Sequence, residues 1–252
     1  EGFVFTFGGQ AATAVNLKGG TLGQAAGDDV TLNNALNVTA DSTFSILNSA
    51  TPDPANPNTE EMILSGTLTG TAGRTITITA SNTTPGADKG RVTFASPSGN
   101  TFTGTVGPQV NATARFTGDY AGVAVALDQG RLDGSGTVGA VSGTGTISPE
   151  GDLGPGILTA TSITTSATTA FEFDFNTKNA EPVWFSPTAS ENDVLRLTGA
   201  TPLPNALGSG NAVRLFLNVG QLTSTDTFTG GFFTTADPSA AAGAMKIGEM
   251  PP

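Results

Sequence analysis

Short alternating strands separated by glycine, asparagine or aspartate constrain this chain more than any other feature. Residues 30–32 (Val-Thr-Leu) precede two asparagines, and residues 76–78 (Ile-Thr-Ile) repeat the alternation. A period of two with β-branched residues predicts half-buried strands. Similar segments occur at residues 15–17, 36–38, 44–46, 63–64, 92–94, 123–127 and 171–175, with single apolar positions at 147, 158 and 163. Such close spacing leaves no room for crossover helices, so two all-β folds remain: an antiparallel sandwich, or a solenoid of parallel stacked strands.

Small residues at the bends favour the solenoid. Glycine accounts for 34 of the 252 residues, and it suits sharp corners where the backbone needs a positive φ. The Asn-Gly and Asp-Gly dipeptides of two-residue hairpins are largely missing, with Asp133-Gly134 as the main exception. We predict an all-β solenoid over residues 1–235, with asparagine or threonine ladders between turns. At about 20–25 residues per turn it would have about ten turns and a length of about 50 Å.

Two stretches interrupt the strand pattern. The proline-rich segment near residues 51–60 cannot lie in a central strand and is predicted to be a loop. A second loop is predicted at residues 179–192, where Trp184 is expected to anchor the loop, with ligand binding as the alternative. The Ala/Pro-rich residues 236–252 are interpreted as a tail or an inter-subunit segment.

Charge and composition argue against several functions. The net charge of −11 disfavours nucleic-acid binding, because an acidic chain repels phosphates. No run of 18 apolar residues is present, so we expect no membrane-spanning helix. The chain contains neither cysteine nor histidine, which removes thiolate chemistry and the commonest general base. We expect no catalytic, cofactor-binding or metal-binding residues, and therefore no enzyme.

Carboxylates and aromatic residues leave alternatives open. Polysaccharide-cleaving solenoids use paired carboxylates, and the candidates are Asp28 with Asp29, Asp128 with Asp133, and Glu150 with Asp152. For each pair the simpler interpretation is a solvated turn, because aspartate caps turns without catalysis. A calcium site is a further alternative, although the sequence has no Asp-x-Asp-x-Asp-Gly loop. A glycan-binding module would use exposed Tyr120 or Trp184.

Several segments together resemble one known family. Residues 15–23, 29–36 and 62–70 resemble the autotransporter-associated β-strand repeat proteins. Residues 99–106 match the most recognisable motif of that family, an Asn-Thr-aromatic-Thr-Gly corner. Further similar segments are 132–139, 143–149, 154–158, 171–175 and 193–199. The resemblance implies a right-handed parallel β-helix that is secreted to the bacterial cell surface and is not an enzyme.

The resulting hypothesis is an extracellular structural or adhesive module that self-assembles into a filament or surface layer. The segments expected to make such contacts are the apolar strand containing Phe3, Val4, Phe5 and Phe7, and the tail after Phe233. The alternative is a carbohydrate-active β-helix protein that cleaves or binds glycans, so glycans are the second expected partner.

Overall fold

In a computed structural model of the chain, residues 14–24, 29–47, 60–81, 90–150, 156–164, 166, 168–175, 193–199, 212–217 and 233–235 are described. Every regular element in these ranges is a β-strand. The strands are β1 (Val15–Gln24), β2 (Val30–Leu32), β3 (Leu36–Ile46), β4 (Glu61–Leu64), β5 (Leu68–Gly70), β6 (Thr75–Ala80), β7 (Gly90–Phe94), β8 (Thr105–Pro108), β9 (Ala112–Phe116), β10 (Asp119–Tyr120), β11 (Ala124–Gly134), β12 (Thr137–Pro149), β13 (Ile157–Ile163), β14 (Ala170–Phe175), β15 (Val194–Leu197), β16 (Ala212–Leu217) and β17 (Phe233–Thr235).

The strands pair in parallel and form three columns, A, B and C, which successive coils of the chain visit in that order. Column A contains β2, β4, β7, β9, the end of β11, the end of β12, β14 and β16. Column B contains the starts of β1, β3, β12 and β13, together with β5, β10, β15 and β17. Column C contains the ends of β1, β3 and β13, the start of β11, the middle of β12, and β6 and β8.

This pairing confirms an all-β, solenoid-like fold for the described residues. The antiparallel sandwich is wrong for them, because each printed strand pair is parallel. The expected strand length of three to five residues is also wrong in part: β1, β3, β11 and β12 have 10 to 13 residues and bend through a corner.

Coil length varies more than the sequence predicts. Val30 pairs with Met62, 32 residues later, whereas Arg131 pairs with Thr146, 15 residues later. Near the C-terminal end, Phe171 pairs with Val213, 42 residues later. The expected 20–25 residues per turn therefore does not hold. At the usual parallel spacing, the strand segments of column A span about 34 Å.

The three columns enclose one core. In column A, Leu32, Leu64, Phe94 and Phe116 occupy equivalent positions of four successive coils, and all are buried. Phe94 and Phe116 stack with ring centroids 4.6 Å apart. Tyr120 of column B meets Phe94 edge-on at 5.8 Å, and Phe44 of column C lies 6.5 Å from Phe94. Apolar side chains from every column thus stabilise the same interior.

Side chains also connect one coil to the next. The Asn37 amide donates to Asn16 at 2.8 Å, which confirms an asparagine ladder between turns. The Asp29 carboxylate accepts the Glu61 N–H at 2.9 Å, and Asp41 accepts the Thr75 N–H at 2.9 Å. These aspartates satisfy strand-starting N–H groups of a neighbouring coil, rather than capping their own turn.

Asn100 replaces a strand in column B. Its side-chain oxygen accepts the Leu68 N–H at 2.8 Å, and its amide donates to the Asp119 carbonyl at 2.9 Å. The two bonds link the coil before Asn100 to the coil after it. Two residues further along, Phe102 is buried, so the Asn-Thr-aromatic motif supplies one bridging amide and one core side chain.

Candidate functional site

The outer side of column A carries a row of charged residues that are nearly buried. In β7, Val92 and Phe94 point into the core, so Arg91 and Thr93 point away from it. In β9, Arg115 occupies the outward position and is only 4% exposed. The sequence predicts half-buried strands here, and that prediction is wrong for β7 and β9, which are buried on both sides.

Ion pairs hold this row together. Arg91 pairs with Glu61 at 3.0 Å, and the same carboxylate contacts Thr93. Arg115 pairs with Glu150 and lies 3.8 Å from Asp133. The charged residues of the row are Glu61, Arg91, Arg115, Arg131, Asp133, Glu150 and Glu172. We call this set the ionic ladder. Its opposite charges compensate one another, as buried charges require.

Two of these pairs reach past an intervening coil. Arg131 in β11 pairs with Glu172 in β14, although β12 lies between them. Arg115 in β9 likewise reaches Glu150 beyond β11. Two steps of parallel spacing are about 9.6 Å, which the long arginine side chain can bridge. Each pair therefore fixes the stacking of three successive coils.

A cavity of about 110 Å³ opens beside the ionic ladder at the corner between columns C and A. Its polar lining consists of Asn111, Thr113, Gln129, Arg131, Thr146 and Glu172. The lining therefore combines one guanidinium group, one carboxylate, two amides and two hydroxyls.

The backbone is strained around this region. Among the described non-glycine residues, Asn111 (φ 59°), Gln129 (φ 64°) and Glu150 (φ 54°) are those recorded with positive φ. Asn111 and Gln129 line the cavity, and Glu150 belongs to the ionic ladder. Asparagine tolerates this conformation, whereas glutamine and glutamate adopt it at a cost.

The structure separates the proposed carboxylate pairs. Asp128 is exposed at the end of the column C part of β11, whereas Asp133 is 3% exposed and lies between Arg115 and Arg131. A solvated turn is therefore the wrong interpretation of Asp133. Glu150 is likewise an ion-pair partner rather than a free turn residue. Their partners Asp28 and Asp152 lie outside the described residues.

Tyr120 is not an exposed platform for a sugar. It is 2% exposed and packs edge-on against Phe116 at 5.3 Å. Its hydroxyl accepts the Ser96 N–H at 3.1 Å. Burial raises the pKa of Tyr120 to about 12, and hydrogen bonds from Ser96 and Asn100 only partly offset that rise. The prediction of Tyr120 as a glycan-binding residue is therefore wrong.

Several other predicted segments fall outside the described residues. These are Trp184 with the loop at 179–192, the loop near 51–60 apart from Glu60, the strand with Phe3, Val4, Phe5 and Phe7, and the tail at 236–252. Phe233 itself begins β17, which pairs with β15. The start of the predicted contact tail is therefore part of this chain's own stack.

Sequence reasoning missed the arginines of the ionic ladder. Arg91, Arg115 and Arg131 each precede an apolar residue of column A, and Glu172 stands between two phenylalanines. A charge flanked by core residues in a chain with few charges was the signal that could have revealed them. Within the described ranges, no group of three or more carboxylates is arranged to hold a metal ion. The same ranges contain no helix long and apolar enough to cross a membrane.

Comparison with known proteins gives no match, whether to a protein family, to a curated protein or to a solved structure.

Proposed function

We propose that this chain is an extracellular structural or adhesive module of a bacterial surface protein, folded as a right-handed parallel β-helix. The ionic ladder is the observation that carries the proposal. Arg91, Arg115 and Arg131 all pair with carboxylates of other coils. Charged groups that an enzyme would direct at a substrate here join the coils of a stack.

The physical properties of the fold suit a spacer or scaffold. Each coil contacts mainly its neighbours, so stability comes from the stack and increases with added coils. The aromatic core and the inter-coil bonds of Asp29, Asp41 and Asn100 are of this kind. Such a module can hold other parts of a protein at a distance, or present its side surfaces for adhesion.

Self-association into a filament or surface layer is part of the proposal. Open ends of a stack present unpaired backbone groups that must be covered. The alternation of Phe3, Val4, Phe5 and Phe7 suits a strand added to a neighbouring copy, as does the tail after Phe233. A repeated end-to-end contact of this type does not close and produces a fibre.

Cell-surface labelling tests the location. Antibodies raised against the purified chain should label intact cells of the source organism, and brief protease treatment of intact cells should remove the signal. A cytoplasmic protein probed in parallel is the control for leakage. Labelling that appears only after permeabilisation would refute a surface role.

Electron microscopy and light scattering test the assembly. The chain should form elongated particles whose length increases with protein concentration. A Phe3→Ser/Phe5→Ser variant should remain short, while Thr43→Ser, a change on a strand outside the proposed contact, should assemble normally. Equal assembly of both variants would exclude the N-terminal strand as a contact.

A carbohydrate-active protein is the second candidate, and the polar cavity beside the ionic ladder favours it. Incubation with a panel of soluble polysaccharides should distinguish the candidates, since cleavage releases reducing ends and a scaffold releases none. An activity that persists in Asp128→Ala/Asp133→Ala would show that these two carboxylates do not perform it.

A further inference from the structure

The cavity at the corner between columns C and A combines three independent features. It is lined by polar side chains, it borders the buried Arg131–Glu172 pair, and two of its residues have left-handed backbone. The backbone strain is informative because glycine occupies other sharp corners of this chain. Gly143, for example, has φ 95° at a later corner of the same side.

The strain at Gln129 has no structural benefit that glycine would not supply. A glutamine at φ 64° costs free energy that glycine at the same position would not, since only glycine enters this region freely. Its side chain is exposed at the cavity, so it does not contribute to the core. Strained residues that persist beside a polar cavity point to a functional role for the side chain.

The lining determines the chemical class of ligand. Arg131 and Glu172 already neutralise one another, so a charged ligand would have to compete with an ion pair that is nearly buried. The amides of Asn111 and Gln129 each offer a donor and an acceptor, and the hydroxyls of Thr113 and Thr146 do the same. This set fits a neutral ligand with several hydroxyl groups.

The volume limits the size of that ligand. At about 110 Å³ the cavity is smaller than the pockets that enclose drug-sized molecules, which hold about 300–1,000 Å³. We propose that the cavity binds one neutral sugar unit of a glycan, with the amides of Asn111 and Gln129 at its rim and the Arg131–Glu172 pair at its base. This inference concerns a ligand and does not depend on the surface scaffold role, which cell labelling tests separately.

Ligand-observed NMR with the full chain tests the proposal, with methyl β-D-glucopyranoside, methyl β-D-galactopyranoside and methyl α-D-mannopyranoside as neutral probes. D-galacturonate and D-glucosamine serve as charged comparisons. At least one neutral probe should bind with a Kd in the millimolar range. Gln129→Gly and Asn111→Gly remove the amides while relieving the backbone, so each should raise Kd about fivefold, as expected for one lost hydrogen bond between neutral groups.

Thermal melting shows that the variants remain folded. Both glycine variants should melt at the wild-type temperature or above it, because the left-handed backbone suits glycine. Asn33→Ala, an exposed asparagine at a corner outside the cavity, is the matched control and should bind like the wild type. Absence of binding by all three neutral probes at tens of millimolar would overturn the proposal. Binding unchanged in both glycine variants, or stronger binding of a charged sugar, would overturn it as well.

Discussion

Tyr120 provides the sharpest test of the core arrangement. Its ring is surrounded by Phe94 and Phe116, and its hydroxyl accepts the Ser96 N–H at 3.1 Å. Tyr120→Phe keeps the ring and removes only the hydroxyl. The buried Ser96 N–H then loses this acceptor, which costs about 1–3 kcal/mol of unfolding free energy at neutral pH.

The same hydroxyl makes stability depend on alkaline pH. Burial raises the pKa of Tyr120 from 10.0 to about 12, so the folded chain holds this proton more tightly than the unfolded chain does. The resulting stabilisation is fully present below pH 10 and is lost as the pH rises through 12. At pH 11 the loss from this group is about 1.4 kcal/mol, and well above pH 12 it reaches about 2.7 kcal/mol.

Urea unfolding followed by circular dichroism, between neutral pH and pH 11, compares the two proteins. Tyr120→Phe should be less stable at neutral pH, and the difference should shrink by about 1.4 kcal/mol at pH 11. Because Tyr120 is the single tyrosine of the chain, tyrosinate absorbance reports its titration directly. A folded-state titration midpoint near 10, or a stability difference that does not change with pH, would refute the buried environment.

Three further changes probe the ladder, the core and a corner by urea or thermal denaturation. Arg131→Met leaves the Glu172 carboxylate without this partner and should cost about 3–5 kcal/mol, while Arg131→Met/Glu172→Met should cost less; an equally costly double variant would contradict the pairing. Phe116→Ala should cost about 3–5 kcal/mol, because it removes a fully buried ring; a cost below 1 kcal/mol would contradict its core position. Gly118→Ala would place a Cβ 1.9 Å from the Ser96 carbonyl oxygen and should cost about 1–3 kcal/mol or prevent folding; an unchanged melting temperature would show that the two backbones do not approach this closely.

Strand identity could be predicted from the sequence because it depends on local alternation. Residues 76–78 lie in β6, and residues 171–175 lie in β14, as the period of two indicates. Parallel stacking also follows from local information, because the hairpin dipeptides are largely missing. The one prominent Asp-Gly, at residues 133–134, ends β11 in column A and forms no hairpin there.

Strand partners and the ionic ladder could not be predicted in this way. Alternation shows where a strand is, but it does not show which later strand lies beside it. Arg131 and Glu172 are 41 residues apart in the sequence and meet only because the intervening coils have their particular lengths. Tyr120 was misjudged for a related reason, since its neighbours Phe94 and Phe116 belong to other strands of the stack.

The unequal coil lengths have a practical consequence. Partners that are 15, 32 or 42 residues apart occur within one continuous stack, so the extra residues are accommodated between strands without interrupting the ladder of backbone bonds. The segment between Leu47 and Glu60 joins two successive coils in this way. A foreign epitope spliced at such a junction would project from a preserved framework, and several epitopes placed on different coils would be displayed at spacings set by the multiples of one strand separation.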